Sequence, residues 1–298
     1  MVWGDIMLCM KSGTVLLIGR PNVGKSTFVN NIIGTKVSIT SPKPQTTRFP
    51  IQGVYQDDRG ELVFVDTPGI FDKVHDTLAK KINRETLKTL GTGFDLALYM
   101  VDHTRRRDME EAKVLGLVRQ ITKPVILVIN KIDYQDTTYI AQYRFLKDEF
   151  DMVFEISALK RKHLTSLLDK IFELLPERTE ESEAMHGHLV HPILNINSRL
   201  FIGELIREKV FLMTGDEIPY TSTVVVDEIT SRNKETTYIK ARVLTTDIRY
   251  RKMLIGAGAH KIKEIGAYAR KEIELATKQH IYLDLTVEVD KHWQELYS

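Results

Sequence analysis

Short apolar runs alternate with longer amphipathic stretches over the first part of the chain, up to about residue 175. The apolar runs are rich in β-branched and aliphatic side chains, which is typical of buried strands. They lie at 14–18, 61–65, 96–101, 125–129 and 153–156. The stretches that predict helices lie at 25–33, 76–90, 108–121, 138–150 and 163–175. This alternation predicts a parallel sheet covered on both faces, a doubly wound α/β domain.

The pattern changes after a polar segment that has a proline at each end. Residues 176–192 include an acidic run and few large apolar side chains, as expected of a linker. Beyond it, the chain predicts a helix, two strands, a helix, a turn, a second helix and a final strand. The predicted divisions are an N-terminal extension, an α/β domain, the linker and a smaller α+β domain, at 1–12, 13–175, 176–192 and 193–298.

Composition agrees with an ordinary globular protein of more than one domain. The chain has 298 residues, of which 43% are hydrophobic and 28% charged, which excludes collagen-like, disordered and membrane-embedded classes. The net charge of +2 does not identify a partner by itself. The single cysteine, Cys9, has no neighbours with metal-ligand spacing and indicates a reducing compartment, so we expect a cytoplasmic location. No apolar run approaches the roughly 20 residues that span a bilayer.

The segment 19–26 matches the phosphate-binding pattern G-x-x-x-x-G-K-[ST], directly after a predicted strand and at the start of a predicted helix. In such a turn the main-chain N–H groups surround the α- and β-phosphates. Lys25 is expected to reach the β- and γ-phosphates, and Ser26 to ligate Mg²⁺. The predicted nucleotide contacts in this segment are Gly19, Arg20, Pro21, Asn22, Val23, Gly24, Lys25, Ser26 and Thr27.

A D-x-x-G motif follows the next predicted strand. Asp66 is expected to face Mg²⁺ through a water molecule, and the N–H of Gly69 to sense the γ-phosphate. The motif is short, so its weight comes from its position after a strand and downstream of the phosphate-binding turn. The predicted nucleotide contacts here are Asp66, Thr67, Pro68, Gly69 and Ile70.

Residues 130–133, Asn-Lys-Ile-Asp, end the next predicted strand but one and indicate which base is bound. Asp133 can accept hydrogen bonds from guanine N1–H and N2–H, which adenine does not offer. Asn130 can bond the purine edge or tie neighbouring loops together, and the stem of Lys131 can lie along the ring. These residue types favour GTP over ATP.

The last motif of the first domain, Ser157-Ala158-Leu159, ends the final predicted strand. Here the backbone N–H of Ala158 could meet guanine O6. Four signals thus occur in order, each at the carboxyl end of a strand, which is where parallel α/β sheets bind ligands.

Residues 13–175 resemble the translation-factor-like branch of the P-loop GTPases. The resemblance implies that the switch I threonine lies in 45–48, with Thr47 favoured over Thr46, and that it closes on Mg²⁺. The metal ligands implied are Ser26, Thr47 and, through water, Asp66. The catalytic residues implied are Lys25, Thr47 and Gly69.

Two positions bear on the rate of hydrolysis. Ile70 stands where many GTPases have a glutamine that orients the attacking water, so slow intrinsic hydrolysis is expected. Asn22 resembles the asparagine with which K⁺-activated members of this branch hold a monovalent cation, although asparagine is also common in loops. A nucleotide-gated adaptor that does not hydrolyse GTP is a further alternative.

Positive charge is concentrated in the second predicted domain, between residues 247 and 271. Seven basic residues face only Asp247 and Glu264 in this segment, an arrangement that attracts phosphates but is also typical of a solvated helix face. The basic residues are Arg249, Arg251, Lys252, Lys261, Lys263, Arg270 and Lys271.

The order of elements and the sequence of 254–263, LIGAGAHKIK, resemble a type II KH domain, in which a G-x-x-G turn clamps single-stranded RNA. Joined to such a GTPase domain, it makes the chain similar to the Era family. This resemblance implies binding to 16S ribosomal RNA and the 30S subunit, assistance in subunit assembly, a monomer, and a possible peripheral place at the inner face of the cell membrane. The RNA contacts implied are Arg251, Lys252, Ile255, Gly256, Ala257, Gly258, Ala259, Lys261, Lys263 and Arg270.

The turn departs from that pattern, because Ala259 replaces the second glycine and Gly258 is displaced by one position. An alanine adds a methyl group where RNA approaches and disfavours positive φ. A C-terminal domain that contacts a protein or a membrane surface is therefore the alternative function. A histidine cluster in the linker is better explained as polar sequence than as a metal site; it comprises His186, His188 and His191.

Overall fold

The computed structural model describes residues 10–41, 47–48, 50–69, 93–136, 138–177, 198–231, 236–277 and 279–297. These residues group into two units. The first holds the described residues up to Ser38 and those from 47 to 177, and the second holds 39–41 and those from 198 onward. Outside the described residues lie Cys9, Thr46, Ile70, the predicted helix at 76–90 and the linker histidines.

The first unit is built on a sheet to which six described strands belong. They are β1 (Lys11–Ile18), β2 (Ile51–Asp57), β3 (Gly60–Asp66), β4 (Leu96–Asp102), β5 (Val125–Asn130) and β6 (Val153–Glu155). Their order is β2-β3-β1-β4-β5-β6, and every neighbouring pair is parallel except β2 and β3. The mostly parallel sheet is confirmed, whereas β2 was missed.

The strand β2 is an antiparallel edge strand, which explains why an apolar-run criterion does not find it. A two-residue turn joins it to β3 at Gly60, whose φ of 142° is available only to glycine without strain. Its burial alternates along the first residues, and a Cβ built on Gly53 would overlap the Ile33 side chain. The strand is therefore only half buried and packs closely under a helix.

Helices cover both faces of the sheet, as predicted. They are α1 (Lys25–Ile33), α2 (Met109–Val118), α3 (Arg144–Glu149), which a 3₁₀ turn at Ile140–Tyr143 precedes, and α4 (Leu164–Leu174). The α1 and α4 side chains share one apolar layer with the inward residues of β1, and α2 and α3 pack on the other face. Burial of each large aliphatic side chain in these layers contributes about 1.5–3 kcal/mol. The aromatic side chains of Tyr55, Tyr99 and Phe154 lie in or against these layers.

The second unit has the element order that the sequence predicts. Its elements are α5 (Ser198–Met213), β7 (Ser222–Ser231), β8 (Thr236–Thr245), α6 (Ile248–Ile255), a 3₁₀ turn (Ala257–Ala259), α7 (His260–Thr277) and β9 (His280–Val289). The strand β8 lies in the middle, antiparallel to β7 and parallel to β9. This is the type II KH arrangement, and α5 and α7 bury one face of the sheet.

The short segment 39–41 belongs to the second unit by its contacts. Ile39 is buried in the apolar cluster that contains Ile202 and Leu205. The backbone N–H of Thr40 donates to Glu208 Oε1 over 2.8 Å. The domain limits predicted from sequence, 13–175 and 193–298, stay a prediction. The segment 39–41 lies within 13–175 but groups with the second unit by its contacts.

No helix among the described residues is long and apolar enough to cross a bilayer.

The turn between α6 and α7 shows how the displaced glycine is accommodated. Gly256, Gly258 and Ala259 all have positive φ, of 71°, 56° and 60°. For Ala259 this left-handed conformation costs about 1–2 kcal/mol, because its Cβ crowds the following carbonyl. The turn therefore places strain in one alanine.

We expect Ala259→Gly to raise the free energy of unfolding by about 0.5–1 kcal/mol, since the relief of strain exceeds the entropy that glycine adds to the unfolded chain. Ala257 is the matched control, because it lies in the same turn without positive φ. There, Ala257→Gly should lower stability by about the same amount. Urea titration monitored by circular dichroism measures both, and equal destabilisation by the two changes would contradict the strain at Ala259.

Candidate nucleotide-binding site

The phosphate-binding turn lies between β1 and α1, and two of its glycines are required by close contacts. A Cβ built on Gly19 would overlap the backbone oxygen of Met100. Gly24 has a φ of 107°, and a Cβ there would overlap Asn130 Nδ2. The turn is thus held against β4 on one side and against the end of β5 on the other, so its amides have a fixed direction.

Lys25 begins α1 and is buried with its ammonium group inside the turn. Its Nζ donates to the carbonyl oxygens of Gly19 and Arg20, each over 3.0 Å. Burial lowers the pKa of Lys25 to about 8, and the nearby Asp66 carboxylate opposes that shift. A cation in this position can reach phosphate oxygens enclosed by the turn.

Oxygen atoms suitable for Mg²⁺ converge beside Lys25. Ser26 Oγ donates to Asp66 Oδ2 over 2.6 Å and lies 3.2 Å from Thr47 Oγ1. The other oxygen of Asp66, Oδ1, is buried and has no hydrogen-bond partner among the described residues. Burial raises the pKa of Asp66, and the positive charge of Lys25 opposes that effect. Hydroxyl and carboxylate oxygens are the ligands that Mg²⁺ prefers, so these residues fit the ion.

The D-x-x-G segment leaves β3 towards the phosphate-binding turn. Thr67 Oγ1 donates to the backbone oxygen of Leu17 over 2.7 Å, which anchors the segment to β1. Pro68 and Gly69 are buried, and a Cβ on Gly69 would overlap the backbone of Pro21. Gly69 is therefore placed against the turn. The next residue, Ile70, lies outside the described residues.

Asn130 joins three loops through its side-chain amide. Its Nδ2 donates to the backbone oxygen of Val23 over 2.8 Å, and its Oδ1 accepts from the backbone N–H of Ala158 over 2.9 Å. Of the two roles that the sequence left open, the structure shows that of tying loops together. The backbone N–H of Ala158 donates to Asn130 here, and its contact with guanine O6 stays a prediction.

The remaining residues of the base-reading motifs lie around Asp133. Ser157 Oγ donates to Asp133 Oδ1 over 2.5 Å, which orients the carboxylate and leaves its second oxygen for another donor. Lys131 has a φ of 71°, and its Nζ lies 2.6 Å from Asp102 Oδ2. Leu159 is 65% exposed and can cover the rim of a base site.

Arg20 differs from the sequence expectation, since its side chain does not face the phosphate region. It is fully buried and forms ion pairs with Asp108 over 2.8 Å and with Glu111 over 2.7 Å. Its Nη2 also donates to Tyr143 Oη over 3.0 Å. Burial raises the pKa of Glu111, although the Arg20 guanidinium opposes that shift. Only the backbone of Arg20 remains available to a nucleotide.

Sequence reasoning missed residues outside the nucleotide motifs that hold the phosphate-binding turn in place. Glu111 and Tyr143 contact the Arg20 side chain. Arg105 Nη1 donates to the backbone oxygen of Pro21 over 2.8 Å. A usable signal was the polar segment that starts at Asp102, because it follows β4 at the same edge of the sheet as the recognised motifs.

In the second unit, the basic residues predicted from sequence lie on α6 and α7, on either side of the turn. Arg251 Nε donates to the backbone oxygen of Val287 over 3.0 Å, which fixes its stem against β9. Lys261 lies 3.5 Å from Glu264, while Lys252, Lys263 and Arg270 are exposed. Ile255 packs partly into the core under the turn. The basic strip is therefore present as a surface of the folded domain.

Comparisons with known proteins agree with both halves of the chain. Residues 14–131 match the family described as 50S ribosome-binding GTPase, and residues 217–294 match the KH domain family. GTPase Era of Halothermothrix orenii is 37% identical over 290 residues, which cover 96% of this chain and 95% of that protein. GTPase Era of Thermotoga maritima is 35% identical, with coverage of 97% and 95%.

Solved structures extend the similarity to the fold. A crystal structure of Era in complex with MgGDPNP and nucleotides 1506–1542 of 16S ribosomal RNA has a TM-score of 0.85 and 33% identity, and covers 97% of both chains. An Aquifex aeolicus Era variant bound to GDP and aluminium fluoride gives the same values. Since the relatives match through the GTPase domain and the KH domain alike, the chain belongs to the GTPase Era family.

Proposed function

We propose that this protein is a GTP-hydrolysing switch that binds 16S ribosomal RNA through its KH domain and assists small-subunit assembly. The observation that carries the nucleotide half is the position of Asn130. It holds the phosphate-binding turn and the Ala158 loop together, so a carboxylate suited to guanine, Asp133, lies at the same edge of the sheet as the phosphate-binding amides.

Binding of the triphosphate follows from the turn and from Lys25. The amides of residues 19–26 supply donors at a helix N-terminus, and Lys25 adds a full positive charge. The buried ion pairs of Arg20 hold this backbone in place before a nucleotide arrives, which lowers the ordering cost of binding.

Ser26, Thr47 and Asp66 are the residues that would hold Mg²⁺, the last through water. When bound there, the ion would supply positive charge that offsets the negative charge of the phosphates. The Gly69 amide next to the turn is placed to respond to the γ-phosphate. Because Ile70 cannot orient water, hydrolysis rests on positioning and on a backbone group, a further residue or a partner, and it is slow.

RNA is favoured over a protein or a membrane surface as the partner of the second domain. The basic side chains flank the turn that type II KH domains use on single-stranded RNA, and a relative with 33% identity was solved with 16S ribosomal RNA. The cytoplasm is the location that goes with this partner. Peripheral association with the inner face of the cell membrane stays a prediction.

The potassium dependence of hydrolysis tests the role of Asn22. Its φ of 63° places it in a left-handed turn within the phosphate-binding segment. If its side chain helps to hold K⁺ near the phosphates, GTP turnover should be faster in KCl than in NaCl of equal ionic strength, and Asn22→Ala should remove the difference. Equal rates of GTP turnover for the wild type in both salts would contradict this role of Asn22.

Base specificity tests the assignment of Asp133. We expect Asp133→Asn to weaken GDP binding about 100-fold or more and to favour xanthosine diphosphate, because an amide can donate to the xanthine O2 that replaces the 2-amino group. Calorimetry in Mg²⁺ buffer measures the affinities. Asp136→Asn, an exposed carboxylate in the same loop, is the control and should change little. A wild type without preference for GDP over ADP would reject the proposed nucleotide function.

RNA binding is tested with a probe of nucleotides 1506–1542 of 16S ribosomal RNA in a salt series. The double variant Lys261→Gln with Lys263→Gln, which loses two positive charges, should bind this RNA more weakly. The slope of log K against log salt should fall by about 1.4, or 0.7 per lost phosphate contact. Lys113→Gln with Lys123→Gln, exposed on the first unit, is the matched control. Absence of binding at low salt would favour a protein or membrane partner instead.

A further inference from the structure

His103 follows β4 and lies beside the base-reading loop without belonging to any recognised motif. Asp102 and Asn130 are paired in the parallel ladder of β4 and β5, so the residue after each strand lies at the same edge of the sheet. His103 is only 7% exposed. A buried polar ring at this position needs hydrogen-bond partners, and the loop supplies them.

Both ring nitrogens of His103 contact this loop. Nε2 lies 3.0 Å from the backbone oxygen of Lys131, and Nδ1 lies 2.9 Å from Thr138 Oγ1. A carbonyl oxygen can only accept, so Nε2 carries a proton and donates, and in the neutral ring Nδ1 then accepts from the Thr138 hydroxyl. The backbone oxygen of His103 also accepts from Tyr139 N–H over 2.7 Å. One residue therefore fixes both ends of the loop.

The contact at Lys131 matters because its backbone conformation is unfavourable. A φ of 71° is uncommon for a lysine and is strained, so surrounding contacts must hold it. His103 holds the Lys131 carbonyl, and the buried Asp102 carboxylate holds its ammonium over 2.6 Å. Asp102 Oδ1 in turn accepts from the N–H and hydroxyl of Thr104, so the carboxylate cannot rotate freely.

The strained residue stands between the amide that ties the loops together and the carboxylate proposed to read the base. Asn130 precedes Lys131, and Asp133 follows two positions later. In enzymes a misplacement of about 1 Å can cost on the order of 100-fold in rate, and a hydrogen bond to a base edge likewise depends on where the carboxylate stands. The backbone direction at Lys131 therefore decides whether the Asp133 carboxylate meets the base edge.

We propose that His103 is a positioning residue for base specificity, which holds the Lys131 carbonyl so that Asp133 can select guanine. This inference rests on the proposed role of Asp133 as the guanine-reading carboxylate. His103 itself does not touch the nucleotide. Its contribution is the pre-ordered shape of the loop, and so it is seen in selectivity more than in phosphate affinity.

The test compares GDP with IDP, because inosine lacks the 2-amino group that Asp133 accepts from. The ratio of the two dissociation constants is unaffected by the folded fraction and by changes at the phosphates, which cancel. We expect His103→Leu to reduce this ratio about tenfold and to speed GDP release. His103→Gln, whose Nε2 can still donate to the Lys131 oxygen, should restore most of the ratio. Thr138→Val, which removes only the donor to Nδ1, should give a smaller reduction in the same direction.

The control is His280→Leu, an exposed histidine of the second unit, which should leave the ratio unchanged. An unchanged ratio in folded His103→Leu, or an equal loss in the glutamine variant, overturns the inference while the role of Asp133 stands. If His103→Leu does not fold, an unchanged ratio in Thr138→Val overturns it. A wild type that binds GDP and IDP equally would instead reject the proposed reading of guanine.

Discussion

One side-chain amide sets the geometry on which the rest of the first domain depends. Asn130 lies at the end of a central strand, donates to the turn that surrounds phosphates and accepts from the loop that follows the last strand. It is 2% exposed, so neither bond competes with water. The Asn130 amide occupies the space where a Cβ on residue 24 would stand, so that position requires a glycine. The residues proposed to bind phosphate and those proposed to bind the base thereby belong to one arrangement.

A second constraint acts from the opposite side of the phosphate-binding turn. The guanidinium of Arg20 is enclosed by Asp108, Glu111 and Tyr143, and Tyr99 Oη donates to Glu111 Oε1 over 2.5 Å. Buried ion pairs contribute little net stability, since desolvation offsets most of their attraction. Their effect here is specificity of conformation, because the charges are satisfied in only one position of the turn.

The strands, the helices and the nucleotide motifs could be predicted because they follow from periodicity and from motifs at strand ends. The strand β2 could not, since half-burial and an internal glycine give it no continuous apolar run. Side-chain direction was also beyond sequence, so neither the buried ion pairs of Arg20 nor the bond from the Ala158 N–H to Asn130 could be foreseen. Only the fold shows that each is already engaged. His103 was missed for the same reason, because its importance lies in a backbone oxygen that no residue pattern records.

The parallel ladder of β8 and β9 has a consequence for how the second domain is made. Thr236 pairs with His280 and Thr245 with Val289, so the middle strand gains its second neighbour only after both intervening helices have been synthesised. Pairings between distant segments form slowly, since loop closure precedes any gain in contact energy. During translation the middle strand therefore presents an unpaired edge, and premature association with other nascent chains is the hazard that this topology carries.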